Sequence, residues 1–234
     1  MSANLSRLVL APLAILLLGL CPNVLAHGVD DSTRSFLEQS TGIQFFPFLY
    51  IGAKHMITGY DHLLFLVGVV FFLYKSRDVL LYVTMFTIGH SVTLLLGVLL
   101  DIQVNAYLID AIIGLSVVYK GFDNLGGFRR LLGWQPDTRI AVVIFGLFHG
   151  FGLATKIQEF KLEEDGLFAN LIAFNLGVEL GQFAALVCIM LIINAWRKLP
   201  SFSRFSTTTN TMLMSAGLML MGYQLAGYYL INYQ

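Results

Sequence analysis

Charge is what this sequence has least of. Only 12% of its 234 residues are Asp, Glu, Lys or Arg, against 57% hydrophobic residues, where a soluble domain carries about 25% charge. That shortage excludes a water-exposed globular surface, and a mean hydropathy of +0.75 makes the lipid bilayer the solvent. Basic residues are not in excess, since 14 Lys and Arg balance 14 Asp and Glu. No electrostatic footprint for nucleic acid exists. Cysteine is nearly absent: there are Cys21 and Cys188, and the first lies in a segment expected to be removed. An intrachain disulfide is therefore excluded, and so is a thiolate-bound metal or an iron-sulfur cluster. No nucleotide-binding motif occurs, so any active process must draw on ion gradients or on capture of its product.

At the N-terminus, residues 1–26 contain Arg7, an apolar run from Leu8 to Leu20, and a Val24-Leu25-Ala26 end. This is the shape of a secretory signal cleaved after Ala26. Uncleaved, the same segment reads as a first membrane helix near the lower length limit. Cleavage makes His27 the mature N-terminal residue, whose free amine and imidazole form a chelating pair; an accident of the cleavage position explains it more simply.

The rest, 27–234, reads as one domain. Apolar runs predict six spans, at 57–74, 78–100, 104–122, 138–156, 167–195 and 211–231. The fold class is thus all-α, a polytopic membrane bundle of six transmembrane helices after a cleavable signal, because lipid-facing backbone must satisfy itself. Alternate loops hold Lys75, Arg77, Lys120, Arg129, Arg130, Arg139, Arg197, Lys198 and Arg204, nine in all, against Arg34, Lys54, Lys156 and Lys161, four in all, on the other side. The basic excess marks the cytoplasmic face and predicts a bacterial-type inner membrane protein with both mature termini on the periplasmic side. Acidic residues gather outside, with Glu159, Glu163, Glu164 and Asp165 in one loop and Asp30, Asp31 and Glu38 near the mature N-terminus. They read as an ordinary solvated surface, with cation attraction as the sharper alternative.

Ionisable groups inside the spans are the informative feature, because each costs about 3 kcal/mol to insert and asks for a partner or a function. His55, Asp61 and His62 open the first span, His90 stands mid-way in the second, His149 in the fourth and Glu179 in the fifth. In an unbroken helix His55 and His62 share a face, two turns apart. Asn175, Glu179 and Gln182 make a polar stripe expected to face the interior. Glycines beside His149 and Gly97 on the face of His90 allow helices to approach closely. A hydrogen-bonded interior histidine would explain any one of these residues alone. Jointly, imidazole and carboxylate form a nitrogen and oxygen donor set suited to a divalent transition metal of intermediate hardness, Ni, Co, Zn, Fe or Mn. Asp110, inside the third span, reads as a group on the path of the cation or of a proton, or as an interfacial residue.

His55-x5-Asp61-His62 with Gly59 inside it, the Gly89-His90 pair, His149-Gly150-Phe151-Gly152 and Asn175-x3-Glu179-x2-Gln182 together resemble the HupE/UreJ family. The resemblance covers about Gly52 to Gln182; Met56 stands where hydrogenase-linked members have proline. It implies a signal followed by six helices, a secondary permease for nickel or cobalt, and metal-handling roles for His55, Asp61 and His62. The expected partners are then a metal ion and the bilayer, with homo-oligomerisation left open. The competing reading from the residues is a membrane-embedded metalloenzyme that retains one or two metals and acts on a lipidic or quinone-like substrate; a metal sensor or chaperone is a third.

Overall fold

In lipid a chain satisfies its backbone groups by folding each pass into a helix, and every regular element among the described residues is α-helical. The computed structural model describes residues 41–158 and 165–233. The signal segment 1–26, cleavage after Ala26, His27, Asp30, Asp31 and Glu38, and the loop acids Glu159, Glu163 and Glu164 lie outside the described residues. The helices are α1 (Phe45–Thr58), α2 (Tyr60–Val70), α3 (Ser76–Leu99), α4 (Ala106–Asn124), α5 (Gly127–Leu132), α6 (Thr138–Gln158), α7 (Leu167–Arg197) and α8 (Ser201–Tyr233).

Four of the six expected spans match α3, α4, α6 and α7 to within a few residues. The other two start earlier than hydropathy suggests. The expected 57–74 becomes α1 plus α2, reaching back to Phe45, because Lys54, His55 and Gly59 interrupt the apolar run without ending the helical path. The expected 211–231 becomes α8, whose polar Ser201 to Asn210 turns are helical all the same. By length and apolarity taken singly, α3, α6 and α7 are able to cross a membrane. On α7 the outward residues Phe168, Leu180, Phe183 and Leu191 are exposed, as a lipid-facing side requires.

Three helix pairs carry the packing, and glycine allows each. In the pair α1 with α7, a Cβ on Gly177 would collide with the Leu49 carbonyl, one on Gly52 with the Phe174 carbonyl, and one on Gly181 would sit 2.7 Å from Ala53 O. Contacts advance together along both chains, so the two helices run parallel. The pair α3 with α6 is also parallel, with Gly89 facing Val143, Gly146 facing Phe86 and Gly150 facing His90 and Thr93. The pair α4 with α8 runs the other way, Gly114 meeting Gly217 and Met221 while Gly121 meets Asn210 and Met214. Close backbone approach is the means by which helices associate where lipid is as apolar as leucine. Gly177→Val should therefore force α1 from α7 and cost at least about 1–3 kcal/mol of overpacking. Thermal unfolding in detergent, followed by circular dichroism, should show a lowered midpoint, while Gly222→Val, where a Cβ meets nothing within 4 Å, should not shift it.

Polar contacts pin the remaining ends. Arg197 closes α2 by donating from Nη2 to Val70 O at 2.6 Å and Phe71 O at 2.7 Å, with its guanidinium 4.4 Å from the Tyr74 ring centroid. These are carbonyls that a helix C-terminus leaves without intrahelical partners. Asn124 joins α4 to α2 and α8 through Gly68 O and Asn210 Oδ1, both at 2.8 Å.

Candidate metal site

Gly59 creates the site's local geometry. The backbone there is extended (φ −72, ψ 100), so α1 stops at Thr58 and α2 restarts at Tyr60, with Gly59 N donating to His55 O at 2.9 Å. Helical periodicity through an unbroken segment predicts His55 and His62 on one face; the structure differs, because the helix is interrupted between them. The rings meet nonetheless, with centroids 5.2 Å apart, by virtue of the interruption rather than the period. Any side chain at position 59 would crowd this arrangement, since a Cβ would lie 2.8 Å from His62 Nδ1.

His62 is the centre. Its ring centroid is 4.9 Å from His149 of α6 and 6.1 Å from His90 of α3, so four helices, α1, α2, α3 and α6, each contribute one imidazole. His62, His90 and His149 are each 1% exposed. The convergence depends on the α3 and α6 pairing: Gly150 lets the α6 backbone approach His90 O and Thr93, and Thr93 Oγ1 donates to Leu147 O at 2.7 Å to fix the register.

Hydrogen bonds orient two of the rings. Asp61 Oδ1 accepts from His62 N at 2.8 Å and from His62 Nδ1 at 2.9 Å. His149 Nδ1 donates to Phe145 O at 2.7 Å. A carboxylate and a carbonyl only accept, so Nδ1 carries the proton in both rings and the neutral form has its lone pair on Nε2. Fixing the tautomer through the other nitrogen is how ligating histidines are held. His149 Nε2 and both ring nitrogens of His90 are buried with no hydrogen-bond partner among the described residues. Each such atom costs about 1–3 kcal/mol, which a bound ion or other polar ligand would recover.

An aromatic wall encloses the rings. Phe86 stacks on His90 at 6.1 Å and lies 4.9 Å from His149, Phe65 is 5.6 Å from His149 and Phe174 is 6.2 Å from His55. Beside His62 a cavity of about 10 Å³ is lined by Met56, Tyr82 and Gln182 among others. It has the size of one water. Among the described residues no three His, Cys, Asp or Glu side chains stand as a ready-made metal site. The rings gather, and holding an ion there requires them to turn about their side-chain bonds.

The polar stripe of α7 is only partly inward. Gln182 is 2% exposed and accepts from Thr87 Oγ1 at 3.1 Å, and Asn175 donates to Ser91 Oγ at 2.9 Å. Glu179 is exposed and is not brought to the histidines. The buried arc of α7 is centred on Phe174, Val178, Gly181 and Ala185, and at about 100° per residue Glu179 falls outside it. Asp110 of α4 is buried and pairs with Lys156 of α6 at 2.8 Å. Sequence reasoning leaves three participants unassigned. Phe65 and Phe86 look like any core aromatic, and Lys156 looks like a loop residue.

The donor set of up to four imidazoles and one carboxylate suits a divalent metal of intermediate hardness, which neutral nitrogen ligands bind without the avidity of thiolates. No curated protein and no solved structure matches the chain. The HupE / UreJ protein family matches residues 31–232, nearly the whole chain beyond the expected signal. The helical bundle, its membrane-crossing helices and this match lead to one identification: the chain belongs to the HupE/UreJ family of membrane proteins, which is associated with nickel and cobalt transport.

Proposed function

We propose that the chain is a secondary transporter, a permease that carries a divalent transition metal ion, nickel or cobalt first, into the cytoplasm through six membrane passes. The observation that supports this most is the gathering of His55, His90 and His149, each from its own helix, around His62 and its partner Asp61. The ion enters from the periplasmic side, exchanges part of its water for imidazole at His62, and moves on past Gln182 and Tyr82 toward the cytoplasm. An inward-negative potential assists by about 2.3 kcal/mol per charge per 100 mV. Both termini then lie outside, as the distribution of Lys and Arg requires.

Cobalt(II) is the direct probe, because its visible absorption reports nitrogen ligation. Detergent-purified protein, washed with chelator, should take up Co(II) with a saturable band and give it back to chelator. Retention of stoichiometric zinc or iron through the wash would overturn the permease reading in favour of a resident metal centre. Asp61→Asn keeps the shape of the side chain but loses the charge that holds the His62 tautomer, so Co(II) affinity should fall about 10–100-fold. The titration midpoint measures it.

A further inference from the structure

One buried ion pair has no part in the reading above. Lys156, in the last turn of α6, donates from Nζ to Asp110 Oδ2 at 2.8 Å, and Gln224 of α8 donates to the same oxygen at 3.3 Å. The side chains of Lys156 and Asp110 are 12% and 7% exposed. The second oxygen, Asp110 Oδ1, is buried and has no hydrogen-bond partner among the described residues. It faces Gly152, where a Cβ would come within 3.6 Å of it. Gly152 is three residues beyond His149, roughly 4.5 Å of helical rise. Asp110 Oδ1 thus stands about one turn beyond His149 along α6, toward the end of the bundle where α4 begins and α6 ends.

A pair that only tied α4 to α6 would recover the cost of burying two charges by satisfying all their hydrogen-bonding atoms. Here one carboxylate oxygen is left over, in a spot where Ile109 Cγ2 and Ile113 Cδ1 would each lie 3.1 Å from a Cβ on Gly152, so apolar groups and no polar partner border it. We propose that Asp110 is a docking carboxylate for a divalent metal ion on its way to the histidines, and that Lys156 is a tethered ammonium holding that carboxylate between passages. A divalent ion brings twice the charge and engages Oδ1 as well as Oδ2, so it displaces the single ammonium. Once the ion has moved to the imidazoles, the ammonium returns to Asp110. Lys156 acts through Asp110 and is a positioning residue, whereas Asp110 touches the ion.

This inference rests on the metal-transport reading, and the test separates the two. Full-length protein in detergent is titrated with Co(II) as wild type, Lys156→Met, Asp110→Asn, the double variant and His62→Ala. Freeing Asp110 from the ammonium that competes with the dication for it should tighten Co(II) binding by about tenfold in Lys156→Met. Asp110→Asn should weaken binding by a similar factor, and Lys156→Met should add nothing in that background. Asp110→Asn keeps an acceptor for Gln224, so it decides the matter alone if Lys156→Met does not fold. Loss of the cobalt band in His62→Ala with unchanged affinity in both Asp110→Asn and Lys156→Met would leave the transport reading standing and overturn the docking role. A structural ion pair gives that pattern, together with lowered unfolding midpoints in both single variants. Wild-type protein that takes up no Co(II) would overturn both.

Discussion

His62→Ala is expected to lower Co(II) affinity by more than about a hundredfold and to abolish metal uptake, the largest effect of any single substitution in the bundle. A residue that merely supports a ligand costs about 10–100-fold, and His62 is the ring around which the other three are arranged, at 5.2, 6.1 and 4.9 Å between centroids. Its removal also strips Asp61 of the hydrogen bond at 2.9 Å to the ring. The control is His62→Gln, which restores some volume and a donor but no imidazole, and should leave the protein folded and inactive. Cobalt titration combined with circular dichroism checks both parts.

Gly59→Val should produce nearly as large a loss from a residue that itself ligates nothing. A Cβ at position 59 would lie 2.8 Å from His62 Nδ1, 3.1 Å from His55 O and 3.3 Å from Asp61 Oδ1. The added atoms press on the three groups that orient the centre of the site. Either the α1 to α2 interruption shifts or the Asp61 and His62 hydrogen bond breaks, and overpacking of this kind costs about 1–3 kcal/mol. Cobalt affinity should drop at least about tenfold, the equivalent of 1.4 kcal/mol. An unchanged cobalt titration in folded Gly59→Val protein would mean that His55, Asp61 and His62 do not act as a unit.

The helices were legible where hydrophobicity alone decides. Expected spans at 78–100 and 167–195 agree with α3 and α7 because an apolar run of that length has one stable form in lipid. The interruption at Gly59 was not legible, since glycine within an apolar pattern is compatible with a continuous helix and only tertiary contact decides. The inward-facing side of α7 was misjudged for a related reason. A polar stripe predicts burial when polar groups need partners, yet Gly177 and Gly181 set the contact with α1 and turned Glu179 outward. The histidines were legible as a set, because each is anomalous in a membrane span. The ion pair of Asp110 and Lys156 was not, because 46 residues separate its members and Lys156 reads as the start of a polar loop.

Transport is the claim on which the functional account turns, and uptake of radioactive nickel or cobalt into proteoliposomes tests it most directly. With the protein oriented and a potential negative inside, the account predicts saturable uptake that His62→Ala eliminates and that Asp61→Asn shifts to higher metal concentration. Wild-type vesicles that bind the metal at their surface but accumulate none above empty liposomes would contradict it.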